Sequence, residues 1–245
     1  MTGPVPIGAV RARLPQPDHA ALPSMAECAK HPGRRANGCE TCADERDRLE
    51  VVGAAYAACT ARFPTRYQDA AVEDILDLAE VLAWVEEFRT DPSKSRSLLL
   101  LGSTGTGKTH TAYAALRHAV SVATMSRAYV YRTPRWKALT HADLIASLRP
   151  RAAKDHDAEA ELARLIETDL LFLDDLGAIK ATEWVEEMTY RLINGRYEAM
   201  RPNIITSNLP LSELKEAIGD RIAARLAQDS VRVVLTGTDR RRKRT

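Results

Sequence analysis

Residues 98–109 read LLLLGSTGTGKT, and they decide the fold. Four leucines make a run too short for a helix and apolar enough for a strand buried on both faces. Directly after them, Gly102-Ser103-Thr104-Gly105-Thr106-Gly107-Lys108-Thr109 completes the pattern G-x-x-x-x-G-K-[ST], and a helical segment from Lys108 to about Val122 follows. Strand, glycine loop and helix in that order form a phosphate cradle. The glycines let backbone N–H groups curve around phosphate oxygens, and the helix N-terminus adds positive potential. Lys108 is expected to reach the β- and γ-phosphates of a nucleotide, and the Thr109 hydroxyl to coordinate Mg²⁺.

A second apolar run, LLFLDD at 170–175, supplies the complementary half. On a buried strand, Asp174 would support Mg²⁺ and Asp175 would polarise an attacking water as general base. An aspartate pair capping the turn after a strand is the plainer alternative. Together the two stretches predict that ATP is bound and hydrolysed. Around them, short apolar runs alternate with helical segments: AYVYRT (128–133), a helix near 142–148, a helix across 184–200, NIITSN (203–208) and VRVVL (231–235). That alternation predicts an α/β fold, a parallel five-stranded sheet flanked by helices. Upstream, VEDILDLAEVLAWVEEF (72–88) places Ile75, Leu78, Leu82, Val85 and Phe88 at the steps of one amphipathic helix, which DPSK then breaks.

The chain has 245 residues, 45% hydrophobic and 28% charged, enough for one nucleotide-binding domain and a small appended module. It contains no run of eighteen apolar residues, and its first residues, MTGPVPIGAVRARLPQP, lack the apolar core of a signal peptide. A soluble, cytoplasmic protein with no membrane partner is expected. A net charge of +2 argues against a global field for nucleic acid, although the tail DRRRKRT at 239–245 is locally basic. Three regions are predicted: a flexible arm with five prolines at 1–25, a cysteine- and histidine-bearing module at 26–62, and the nucleotide-binding domain with its basic tail at 63–245.

Two later stretches narrow the class. Asn208 ends a strand expected to lie between the first strand and the acidic one, where its amide would orient water near the γ-phosphate. It also suits the turn before Leu209-Pro210. In GDRIAARLAQ, Arg221 and Arg225 share one helical face, placed to offer an arginine to a neighbouring subunit's nucleotide; a solvated helix face is the alternative. The order GSTGTGKTH, LLFLDDLG, WVEEMTYRLINGRYEAMRPNIITSNL and DRIAARL resembles AAA+ ATPases of the DnaC/IstB type, related to the initiator DnaA, from about Phe63 onward. The resemblance implies Walker A at 102–109, Walker B at Asp174 and Asp175, sensor 1 at Asn208, and a trans-acting arginine finger at Arg225 with Arg221 beside it. It also implies self-association through Arg225. Little or no C-terminal helical lid is expected, because few residues follow VRVVL.

Cys28-x-x-His31 and Cys39-x-x-Cys42 form two chelating pairs, each able to span one edge of a Zn²⁺ tetrahedron. Four ligands predict a structural site that staples a small N-terminal helical domain. Unrelated reduced cysteines, or a disulfide, are the alternatives. Cys59 reads as a small buried hydrophobe. Tyr131, Arg135 and Trp136 in AYVYRTPRWKALT mix rings and cations of the kinds that stack bases and neutralise phosphates, so they are candidate contacts to single-stranded DNA; core packing competes with that reading.

Members of the resembled family load replicative helicases or assist transposases, and in DnaC-like loaders the N-terminal region docks on the helicase. The expectation is therefore an ATP-dependent loader whose partners are a hexameric replicative helicase and single-stranded DNA. A transposition helper with the same core is the nearest alternative. A P-loop small-molecule kinase is a further one, which leaves Asn208, Arg225 and the cysteine–histidine pairs without a task.

Overall fold

A computed structural model describes residues 27–28, 30–35, 40–124, 133–149 and 157–237, and the chain divides into the units Met1–Asp69 and Ala70–Thr245. In the first unit, β1 (Glu27–Cys28) and β2 (His31–Arg35) pair antiparallel with Cys28 opposite His31. The helix α1 (Glu40–Ala61) follows. The expected helical module thus carries a hairpin ahead of its helix, consistent with Pro32 and Gly33, both poor helix formers. Cys59 is buried at 2% exposure, in keeping with its reading as a small hydrophobe. The unit ends at Asp69, a few residues beyond the boundary expected at Phe63.

The second unit opens with a break that periodicity did not predict. Val72–Ile75 is a 3₁₀ turn and α2 spans Ala79–Thr90, so residues 72–88 are two elements. The Asp74 carboxylate accepts the Ala71 N–H at 2.8 Å, which caps the start of the turn. Ile75, Val81, Trp84, Val85 and Phe88 are still buried. Asp91 then accepts the Ser93 N–H at 3.1 Å, turning the chain at Pro92 into the sheet.

The sheet contains β3 (Ser97–Leu101), β4 (Trp136–Thr140), β5 (Leu170–Asp174), β6 (Asn203–Ser207) and β7 (Ser230–Val234) in the order β4-β5-β6-β3-β7, every neighbouring pair parallel. The helices between them are α3 (Lys108–Ala123), α4 (His141–Leu148), α5 (Ala158–Glu167), α6 (Glu183–Glu198), α7 (Leu211–Ile218) and α8 (Asp220–Gln228). All five residues of β3 are buried, as the leucine run requires of a central strand. WKALT, which was not read as a strand, lies beside β5; residues 128–132 of the expected strand AYVYRT lie outside the described residues. Its register pairs Trp136 with Leu170 and Thr140 with Asp174. Leu99, Leu101, Leu171, Leu173 and Ile205 meet Leu144, Leu162, Leu192 and Leu226 in one apolar cluster. Each fully buried leucine there contributes about 1.5–3 kcal/mol of transfer free energy.

Arg196 closes the edge of the sheet where the strands begin. Fully buried, it donates to the carbonyls of Leu165, Ile166, Thr168 and Pro202 and to Asn203 Oδ1. Burial pushes its pKa down to about 9. After α6, Met200 takes φ 53°, and the Arg201 N–H reaches back to the Arg196 carbonyl at 2.8 Å, a Schellman-type stop with methionine where glycine is usual. Met200 is 57% exposed. Met200→Gly is therefore expected to stabilise the protein by about 0.5–1 kcal/mol, read as a higher denaturation midpoint, because little packing is lost and the left-handed strain is relieved. A lower midpoint would show that the left-handed cap is unstrained.

Candidate nucleotide site

Parallel strands bring their C-terminal ends to one edge, and there the sequence-distant motifs meet. Leu101 lies opposite Ser207, so the loop after β3 and Asn208 after β6 emerge side by side, with Asp174 ending the next strand. Asn208 does follow the strand between β3 and β5.

Gly102, Gly105 and Gly107 adopt φ of 149°, 88° and 100°, a curvature that side-chain-bearing residues resist, and Gly107 caps α3. Ser103, Thr104 and Thr106 complete the loop, and Thr106 Oγ1 donates to the Ser103 carbonyl at 2.9 Å. Lys108 Nζ points back into the loop. It donates to the carbonyls of Gly102 (2.7 Å) and Ser103 (2.8 Å) and to Asn208 Oδ1 (2.7 Å). The Asn208 amide in turn donates to Asp175 Oδ1 at 3.0 Å. A cation, an amide and a carboxylate from three elements thus form one hydrogen-bonded line.

Thr109 Oγ1 donates to Asp174 Oδ1 at 3.0 Å. Burial raises the pKa of Asp174, with the bond from Thr206 acting in the opposite direction. A hydroxyl touching a desolvated carboxylate is an all-oxygen donor pair that suits Mg²⁺, and such a carboxylate gains from a nearby cation. The ion would there offset charge on the phosphate oxygens. For its own part, the chain can cradle phosphates with loop N–H groups and neutralise them with Lys108, and it sets the Asn208 amide and the Asp175 carboxylate beside that cradle.

Two contributors were not read from the sequence. Thr206 Oγ1 donates to Asp174 Oδ1 at 2.6 Å and accepts the Asp175 N–H at 2.9 Å, so one hydroxyl fixes both aspartates. Its only signal was a polar residue interrupting the apolar run NIITSN. His141, 1% exposed, opens α4 beside the same edge, and burial lowers its pKa to about 4.

The remaining candidates lie elsewhere. Arg225 on α8 stacks over the Tyr197 ring, 4.2 Å from its centroid, and lines a small hollow with Ser97, Asn203 and Ser230, where β3, β6 and β7 begin. The chain's own cradle is at the opposite edge of the sheet, so Arg225 does not serve it. Arg221 is exposed on the same helix and shares a groove with Tyr190, Arg225 and Gln228. Trp136, expected as a stacking platform, is only 7% exposed; it occupies an inward position of β4, which corrects that assignment. Arg135 beside it is exposed and donates to the Glu167 carbonyl at 3.0 Å. Tyr131, Cys39 and the tail from 238 lie outside the described residues, as do the side chains of Cys28, His31 and Cys42.

A family model described as IstB-like ATP binding protein matches residues 55–245. The chain belongs to that family. XkdC, a phage-like element PBSX protein of Bacillus subtilis (strain 168), is 29% identical over 208 residues, 77% of this chain and 73% of that protein. The insertion sequence IS21 putative ATP-binding protein of Pseudomonas aeruginosa is 28% identical over 192 residues, 78% of this chain and 63% of that protein. The matches to three further curated relatives span 39–47% of their lengths. Among solved structures, the DnaC helicase loader superposes with a TM-score of 0.57 at 21% identity, covering 71% of this chain and all of that one, a likeness of fold. This IstB-like protein is an AAA+ P-loop ATP-binding protein, with the residues of an ATPase at the edge described above. Among the described residues, no helix is long and apolar enough to cross a membrane.

Proposed function

We propose that this IstB-like protein is an ATP-switched loader of a hexameric replicative helicase onto single-stranded DNA, acting in the cytoplasm. The observation that carries the switch is the line Lys108–Asn208–Asp175. A phosphate drawn to Lys108 competes for the ammonium with Asn208 Oδ1 and releases the amide. Nucleotide arrival and departure are thereby coupled to the edge of β6, and a ligand shifts a conformational equilibrium only through such differential contacts. The fold likeness to the solved chain of the DnaC helicase loader favours loading as the use of the switch. Arg225 would act on a neighbouring copy's nucleotide after leaving Tyr197, which gives the protein a reason to self-associate.

In this reading Zn²⁺ organises the helicase-docking module. What supports this reading is the sequence spacing of two chelating pairs, Cys28-x-x-His31 and Cys39-x-x-Cys42, the first of which has its backbone paired across the hairpin. A transposition helper is the second reading, favoured by the similarity to the IS21 protein.

The test is the mass of the full-length protein mixed with the replicative helicase of its source, with and without ATP. A complex that responds to ATP, and that is lost when Cys28→Ser and Cys42→Ser remove bound zinc, is expected. Absence of any complex, together with ATP-dependent binding to duplex DNA, would transfer the assignment to the transposition helper.

A further inference from the structure

The turn after the paired aspartates is held from two sides. From β6, Thr206 Oγ1 accepts the Asp175 N–H, the Thr206 carbonyl accepts the Leu176 N–H at 2.9 Å, and Ser207 Oγ donates to the Leu176 carbonyl at 2.7 Å. From the β4 side the hold comes from His141, whose Nδ1 accepts the Gly177 N–H at 3.3 Å. A backbone N–H can only donate, so Nδ1 is unprotonated and the ring proton is on Nε2. Nε2 lies 2.9 Å from Thr189 Oγ1, which itself donates to the Val185 carbonyl at 2.7 Å. The imidazole therefore bridges the acidic turn and α6 in one tautomer, with its far end anchored.

The turn needs such a hold. Asp175 sits at φ 54°, a left-handed conformation that aspartate tolerates better than most residues but still adopts at a cost, which the surrounding bonds offset. Gly177, at φ 86°, is wedged so closely that an added Cβ would meet Leu209 Cδ1 at 3.0 Å and Leu214 Cδ1 at 3.2 Å. Leu209 adjoins Asn208, so a shift at Gly177 reaches both the carboxylate and the amide of the site.

We propose that His141 is a positioning residue for ATP hydrolysis: by accepting the Gly177 N–H while braced against Thr189, it holds the turn that aims the Asp175 carboxylate at the attacking water. The proposal rests on the assignment of Asp175 as general base. His141 touches neither the cradle nor Lys108, so its effect should fall on turnover and leave nucleotide affinity alone.

The full-length chain is tested as His141→Ala, His141→Asn, His141→Gln and Thr189→Val, with kcat, KM for ATP and thermal midpoint measured for each. The asparagine carbonyl can take the place of Nδ1, whereas glutamine reaches only the position of Nε2. Expected is a kcat about tenfold lower for His141→Ala with KM within about twofold, substantial recovery in His141→Asn, and none in His141→Gln. Thr189→Val, near-isosteric and expected to fold, should lower kcat about threefold by unbracing the ring. Wild-type turnover in all four variants, or losses in kcat that follow the thermal midpoint without recovery by asparagine, overturns the proposal. If wild-type protein turns over ATP but Asp175→Asn does so equally well, the general-base assignment itself fails, and the proposal falls with it.

Discussion

Asp175→Asn is expected to bind ATP and to hydrolyse it about a thousandfold more slowly than the unaltered protein. Asparagine has nearly the same shape and can keep an oxygen at Oδ1 for the Asn208 amide, which now donates across 3.0 Å. The Asp175 N–H to Thr206 Oγ1 is a backbone bond and survives the substitution. What disappears is the capacity to take a proton from water at neutral pH. The cradle and Lys108 are untouched, and removing a negative charge near the γ-phosphate should hold affinity level or raise it. Single-turnover hydrolysis together with an ATP titration separates the two quantities. Turnover within tenfold of wild type would move the general-base role to another group, and loss of binding would show that Asp175 shapes the cradle.

That prediction draws on both kinds of information. The cradle and Walker B aspartates were legible because each is a contiguous pattern whose chemistry depends on local order: apolar strand, glycines, lysine at a helix start. The parallel sheet was legible from apolar runs alternating with helices, and Asn208 follows the strand between β3 and β5, as expected.

Misreadings occurred where local pattern and tertiary packing disagree. WKALT has weak strand composition and was not read as a strand, yet it pairs with β5 and buries Trp136 opposite Leu170. Periodicity through 72–88 was helical, yet the chain divides there into a 3₁₀ turn ending at Ile75 and a helix that begins only at Ala79. Thr206, His141 and Arg196 were missed for a shared reason. Each acts through partners 28 or more residues away, or across a tight chain reversal, and nothing in the immediate sequence of a threonine, histidine or arginine announces such partners.

Gly102→Ala is expected to lower ATP affinity by about a hundredfold, and for a reason the motif does not contain. The motif explains its glycines by the approach of phosphate. In the fold, the atom nearest to a Cβ at Gly102 would be the Leu235 carbonyl oxygen, at 2.3 Å, and φ is already 149°. This carbonyl belongs to the residue whose N–H bonds to the Leu101 carbonyl at 2.7 Å, so β7 is fastened to β3 where the cradle begins. Neither side can yield cheaply, because both are backbone. Relief requires moving the cradle or the exit of β7 by close to 1 Å, and displacement of that size in a positioned site costs about a hundredfold. Shortening the Leu235 side chain should not rescue the variant, since the clash is with its carbonyl. Gly53→Ala, where an added methyl meets nothing within 4 Å, is the matched control and should bind ATP as the wild type does. Wild-type affinity in Gly102→Ala would mean that the strand end slides freely past the cradle; lost affinity with an unchanged thermal midpoint would place the damage in the cradle alone.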